Sequence, residues 1–246
     1  MPFNFTNKRT RLALIHLSSS LALVLPIMGV VIFFWYPSPL FSAMGVAPIL
    51  TVVIAIHILI FPALTFLVYK QNKPKLILDI SIILTLQLLA LVYGTTVLSQ
   101  GRPAWVVFVV DDFELVSPAS IYRGQDTSTE TYGFSLSRPE FIVASYSEDP
   151  ALRQQQKEDE MFSGISLATR PETYQPATQH YQAMQARSKP LSWLKQFNPD
   201  AKVESVLNKW PQASGWMPLK APEKDMVVLL NEKGVPLGVV NLNPWQ

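Results

Sequence analysis

Apolar residues dominate three stretches in the first hundred positions of this chain. Leu12–Tyr36 and Val46–Tyr69 hold no Lys, Arg, Asp or Glu, and Leu76–Leu98 holds one, Asp79. Crossing a bilayer core of ~30 Å takes about 20 apolar helical residues, and each run is long enough. Such runs also occur as core helices of large soluble proteins, but three in a row, ahead of an ordinarily polar half, predict membrane spans over 12–36, 46–69 and 76–98. Leu12–Tyr36 is too long for a signal-peptide core and contains Pro26. It ends in Phe33-Phe34-Trp35-Tyr36 rather than small residues, so it reads as a retained helix with an aromatic belt at the outer interface.

Beyond Leu98 the periodicity changes. Val106–Val110 and Phe113–Val116, separated by Asp111-Asp112, predict two strands joined by a turn or one long bent strand. Glu140–Tyr146 is a further strand candidate, and Asp149–Phe162 reads as a mostly exposed helix. Residues 163–180, with Pro171 and Pro176, are expected to be loop, and Thr178–Trp210 to be helical with interruptions at Pro190 and Pro199. Met226–Leu230 and Val235–Val240 flank a turn containing Gly234 and predict a β-hairpin. The expected architecture is a membrane protein with three transmembrane α-helices over residues 1–99, followed by an α+β periplasmic domain over 100–246.

Charge supplies the orientation. Lys8, Arg9 and Arg11 precede the first run, Lys70, Lys73 and Lys75 fill the loop after the second, and the loop from Pro37 to Gly45 is uncharged. Short basic loops stay in the cytoplasm, so the N-terminus is expected inside and everything after Leu98 outside, in the periplasm if the membrane is a bacterial inner membrane. Six Lys/Arg against one Asp give +5 for residues 1–99, and fourteen Lys/Arg against seventeen Asp/Glu give −3 for the remainder. The pI of about 8.7 is therefore a topology signal, and nucleic acid is not an expected partner. The chain has no cysteine, so the outer domain does not depend on disulfides.

The search for chemistry returns little. The sequence lacks a nucleophile elbow, a phosphate-binding glycine loop and an HExxH pair, and no cofactor or metal is expected. Two of the three histidines, His16 and His57, lie inside predicted spans and His180 lies outside, which argues against a three-histidine zinc site. On a strand Asp112 and Glu114 share one face, where with Asp111 they could serve a cation or simply form a solvated edge. Polar groups inside a membrane are costly and face protein or water. Counted from the basic ends, His16 and Asp79 lie roughly 6–7 Å deep, and His57 and Gln87 roughly 18–20 Å deep. These depths allow a His16–Asp79 contact and a His57–Gln87 contact, as helix-packing groups, a partner contact or a proton path. Asp79 could instead reach back toward Lys75.

Several local features together resemble the TfpX/TfpZ-type type IV pilin accessory proteins of Gram-negative bacteria. They are Trp35-Tyr36-Pro37-Ser38-Pro39-Leu40-Phe41, Pro62-Ala63-Leu64-Thr65, the third-helix segment Gln87–Gly94, and Arg102-Pro103. Val107–Glu114 and the closing Asp225–Leu230, Leu237–Val240 and Pro244-Trp245 complete the set. The chain departs from that pattern at His57 and Phe61-Pro62, where the family has an acidic residue and Gly-Pro, and at Asp111-Asp112-Phe113, where it has Asp-Arg-Phe. The resemblance implies a non-enzymatic inner-membrane helper for a type IV pilin, with no catalytic residues to carry over. It also suggests that His16 lies at a depth from which it could meet the glutamate in a pilin's membrane helix. A small membrane sensor with a periplasmic reading domain is the alternative, disfavoured because only about eleven residues and one short loop are expected inside. The sequence leaves oligomeric state open.

Overall fold

A computed structural model describes residues 7–123 and 139–245. Among these, the chain forms two compact units. One holds the chain as far as Phe34 together with Val46–Gln100. The other holds Trp35–Gly45 together with the chain from Gly101 onward.

The first unit is helical. Helix α1 (Lys8–Val30) is capped by the Asn7 side chain, which accepts from the Arg9 backbone N–H, and runs on into a π-helical turn over Val31–Trp35. A short helix α2 (Leu40–Ala43) belongs to the other unit. Helix α3 (Ala47–Ala55) passes through a second π-helical turn, Ile56–Ile60, into α4 (Phe61–Val68), and α5 (Leu76–Gln100) is unbroken. Pro62 has no N–H to offer the preceding turn, and the π-helical turn just before it accommodates the missing bond. The three helical rods, Lys8–Trp35, Ala47–Val68 and Leu76–Gln100, span 28, 22 and 25 residues, long and apolar enough to cross a membrane. Most of their large aliphatic side chains point outward, as a lipid solvent permits.

The second unit is built on a mixed sheet of eight strands among the described residues. These are β1 (Trp105–Val109), β2 (Asp112–Val116), β3 (Glu140–Ala144), β4 (Tyr174–Pro176), β5 (Lys189–Pro190), β6 (Gly215–Lys220), β7 (Met226–Leu230) and β8 (Pro236–Val240). Their order is β4-β3-β1-β2-β6-β7-β8, with β5 paired to β6. The β1/β3 and β2/β6 pairs are parallel and the rest antiparallel. Helices α6 (Pro150–Ser163), α7 (Tyr181–Arg187) and α8 (Asp200–Leu207) lie in the connections.

Strand alternation sorts the core. Val106 and Phe108 of β1 join Phe113, Met217, Leu219, Met226, Val228 and Leu230 on one face, while Trp105, Val107 and Val109 point to the other. With both faces covered, the strands read as continuous apolar runs. Leu40 and Ala43 of the uncharged loop are buried in the first of these clusters, and the Ala43 carbonyl accepts from the backbone N–H groups of Glu223 and Lys224. The loop between the first two predicted spans is thus part of the sheet domain's core.

Several details differ from the sequence reading. Residues 163–180, expected to be loop, contain β4 and short 3-10 turns. Thr178–Trp210 is cut more finely than its prolines suggest, into α7, a 3-10 run over Leu191–Gln196, and α8. Strand β6 sits near the sheet's centre although it contains Pro218. The two expected strands around Asp111-Asp112 are β1 and β2, joined by a two-residue turn in which Val110 has φ 54°, a conformation that β-branched side chains rarely adopt.

Candidate functional site

The polar side chains of the helical unit converge. His16, buried in α1, has Nδ1 2.6 Å from Thr65 Oγ1 on α4 and Nε2 2.6 Å from Gln87 Oε1 on α5. The Gln87 amide nitrogen donates to Ser20 Oγ at 2.8 Å. That donation turns the Gln87 oxygen toward His16, so the imidazole donates from Nε2 and accepts the Thr65 hydroxyl proton at Nδ1. His57 is fully buried (0% exposed). Its Nδ1 lies 2.7 Å from the Val53 carbonyl and its Nε2 3.2 Å from the Gln87 carbonyl. Gln87 therefore ties α1 through its side chain and the His57 turn through its backbone. Both ring nitrogens of His16 are engaged within the unit, and His57, with one N–H as a neutral imidazole, donates to the Val53 or the Gln87 carbonyl, the pattern of groups that fasten helices together.

The chain does not bring Asp79 into this cluster. Asp79 Oδ2 pairs with Lys73 Nζ at 2.8 Å, rather than with His16 or Lys75. At the same end of the unit the Arg9 guanidinium stacks on the Phe66 ring at 4.1 Å and donates to the Phe66 and Leu67 carbonyls, and Lys73 donates to the Val68 carbonyl. Cations here occupy the last carbonyls of α4, where backbone acceptors are left without helical partners. At Gly94, where a Cβ would lie 2.9 Å from Val53 Cγ2, α3 and α5 come into close contact.

A second constellation lies in the sheet domain. Asp112 and Glu114 sit two positions apart on β2, with Asp112 Oδ2 2.6 Å from Lys220 Nζ on the parallel neighbour β6. Ser166 donates to Glu114 Oε2 at 2.7 Å. Burial pushes both carboxyls above their ordinary values. For Asp112, Lys220 opposes that rise while Asp111 and Glu160 add to it; for Glu114, Ser166 and Lys220 oppose it. On Lys220 burial disfavours the charge, but the bond to Asp112 and the fields of Asp112, Glu114 and Asp111 outweigh it and its pKa rises. Both partners of one pair thus shift upward, because Asp112 is the more deeply buried and desolvation dominates it. Tyr146 donates to Glu160, and burial together with that carboxylate pushes the phenol up to about 12. Among the described residues no three His, Cys, Asp or Glu side chains are arranged to hold a metal.

Two groups escaped the sequence reading. Tyr36, expected in an interface belt, is buried in the sheet domain within the electrostatic reach of Arg102, which is itself fully buried. Burial raises the tyrosine and lowers the arginine, and each partly offsets the other. The signal was the position of Tyr36 next to an uncharged loop too apolar to be left in water.

Residues 4–45 match the family described as fimbrial assembly protein FimB. The fimbrial assembly proteins of Dichelobacter nodosus serogroups E1 and I are each 26% identical to this chain over 189 residues, covering 72% of it and 70% of the relative. The fimbrial assembly protein of serogroups C1 and C2 in the same organism is 32% identical over 109 residues, covering 44% of this chain and 83% of the relative. No solved structure matches.

Proposed function

This chain belongs to the fimbrial assembly protein family, and from that premise we propose that it is a non-enzymatic, chaperone-like accessory of the TfpX/TfpZ type. In this reading it resides in the bacterial inner membrane, with its N-terminus cytoplasmic and its sheet domain periplasmic. There it holds a cognate type IV pilin subunit before the subunit enters the pilus. The observation that carries this reading is the inward use of the intramembrane polar groups. His16, Ser20, His57, Thr65 and Gln87 bond one another or backbone carbonyls, an arrangement suited to a fixed helical scaffold.

A subunit waiting in the membrane presents one apolar helix and a head outside it, and this chain offers a lipid-facing helical unit and a folded domain to match. The engagement of both His16 nitrogens supports a packing role for that residue over direct contact with a pilin glutamate. The test is deletion of the gene in its host. Pilin should fall in steady-state amount or remain in the membrane unassembled, and the wild-type gene should restore it. Normal pilin abundance and piliation in the deletion strain would contradict the proposal.

A further inference from the structure

At one end of the sheet a strand edge is left without a backbone partner among the described residues. Strand β8 is terminal, paired to β7 on one side, and its other edge meets no backbone partner among the described residues. Terminal strands are ordinarily protected by shortness, proline, or charge, above all lysine. At the opposite end, β4 is three residues long and closes on Pro176. Strand β8 is five residues long and opens on Pro236, but from Leu237 to Leu242 it carries neither proline nor charge. Its residues 236–239 are only half-buried, although they pack on a domain whose neighbouring strand β7 is wholly inaccessible.

Beside that edge lies an open cleft of about 390 Å³. Its walls include Leu237, Gly238 and Val239 on one side, Pro139 and Phe141 leading into and along β3 on another, and Pro37 and Trp210. Strand β8 and the β3 side of the sheet therefore contribute to one cleft. Its lining has no ionisable side chain, and Gly238 lets the Trp210 ring approach to within 2.6 Å of where a Cβ would stand.

We propose that the β8 edge is a docking site for an extended, uncharged segment of the fimbrial subunit. The segment adds a strand to β8 and seats an aliphatic or aromatic side chain in the cleft. The hydrogen-bonding edge selects the occupant: a row of N–H and C=O groups at strand spacing is satisfied by another extended backbone, and an uncharged cleft favours apolar side chains. This inference rests on the reading of the protein as a subunit-holding accessory.

The test uses the full-length protein in lipid nanodiscs, alone and co-reconstituted with the pilin of its host, with hydrogen exchange followed at 236–240. Binding is expected to slow exchange there by about tenfold or more, while the helical unit keeps its own pattern. A photo-crosslinking residue at position 237 should capture a contiguous pilin segment. Leu237→Lys should weaken capture with the sheet domain's protease resistance unchanged. If pilin binds and β8 exchange is unaltered, the edge proposal is overturned while the accessory reading stands. If pilin does not bind at all, both fall. Crosslinks only to a second copy of this chain would overturn the edge proposal in favour of self-association.

Discussion

The two units bury polar groups in opposite ways. In the helical unit, His16, Ser20, Thr65 and Gln87 form a closed set of hydrogen bonds with no carboxylate among them, and the single intramembrane acid, Asp79, is drawn to Lys73 at the end. In the sheet domain, Asp112 and Glu114 keep ionisable groups half-buried on a strand, held by Lys220 and Ser166. The solvent explains the contrast. A bilayer offers an unsatisfied polar group nothing, so partners must come from neighbouring helices, whereas a domain edge near water can hold carboxyls whose protonation answers to pH.

Four experiments sharpen that contrast. The largest effect is expected from Gln87→Leu, which removes the acceptor of His16 and the donor to Ser20 at once. Leaving buried groups unpaired costs ~1–3 kcal/mol, and unfolding of the detergent-solubilised protein should show a loss in that range. An unchanged midpoint would mean the network contributes nothing. Next, Lys220→Met should destabilise the sheet domain by about 1 kcal/mol at neutral pH, a modest figure because the lysine is half exposed. Its effect should shrink in acid as Asp112 is protonated; limited proteolysis across pH would measure both.

The third turns on the sign of the carboxyl shifts. Asp112 and Glu114 hold protons more tightly folded than unfolded, so their contribution is fully present below the ordinary values of 3.8 and 4.5 and is lost as pH rises through the folded values. Glu114→Gln keeps an acceptor for Ser166 and removes the charge. It should melt higher than wild type at neutral pH and converge with it in acid; a parallel pH profile would contradict the assignment. The fourth is His16→Leu, which removes two interhelical hydrogen bonds at roughly 0.6 kcal/mol each, the average for such a bond in a membrane. If that substitution abolished pilin capture without altering stability, His16 would be a contact residue instead.

What the sequence disclosed follows from which interactions are local. Apolar run length and loop charge are local properties, and the three helices were legible from them. So were β1, β2, β7 and β8, with their β-branched and apolar runs and turn signals. Strand β6 was not, because Pro218 and Gly215 are poor strand residues and only its pairing with β7 and β2 overrides them. Burial of Leu40, Ala43 and Tyr36 in the sheet domain depends on contacts across sixty or more residues, which periodicity does not encode. The depth count allowed a His57–Gln87 contact and a His16–Asp79 contact; in the structure His57 faces the Gln87 backbone carbonyl, the Gln87 side chain meets His16, and Asp79 pairs with Lys73. Helix α1 begins at Lys8, so counting His16 from Arg11 places it too shallow, and the basic residues before the two helices do not mark one common depth.

The most direct test of the central claim is to tag the protein in its native host, crosslink briefly, extract in mild detergent and identify by mass spectrometry what accompanies it. The account predicts that the host's type IV pilin dominates the captured proteins. Recovery of other envelope proteins with pilin absent would contradict it.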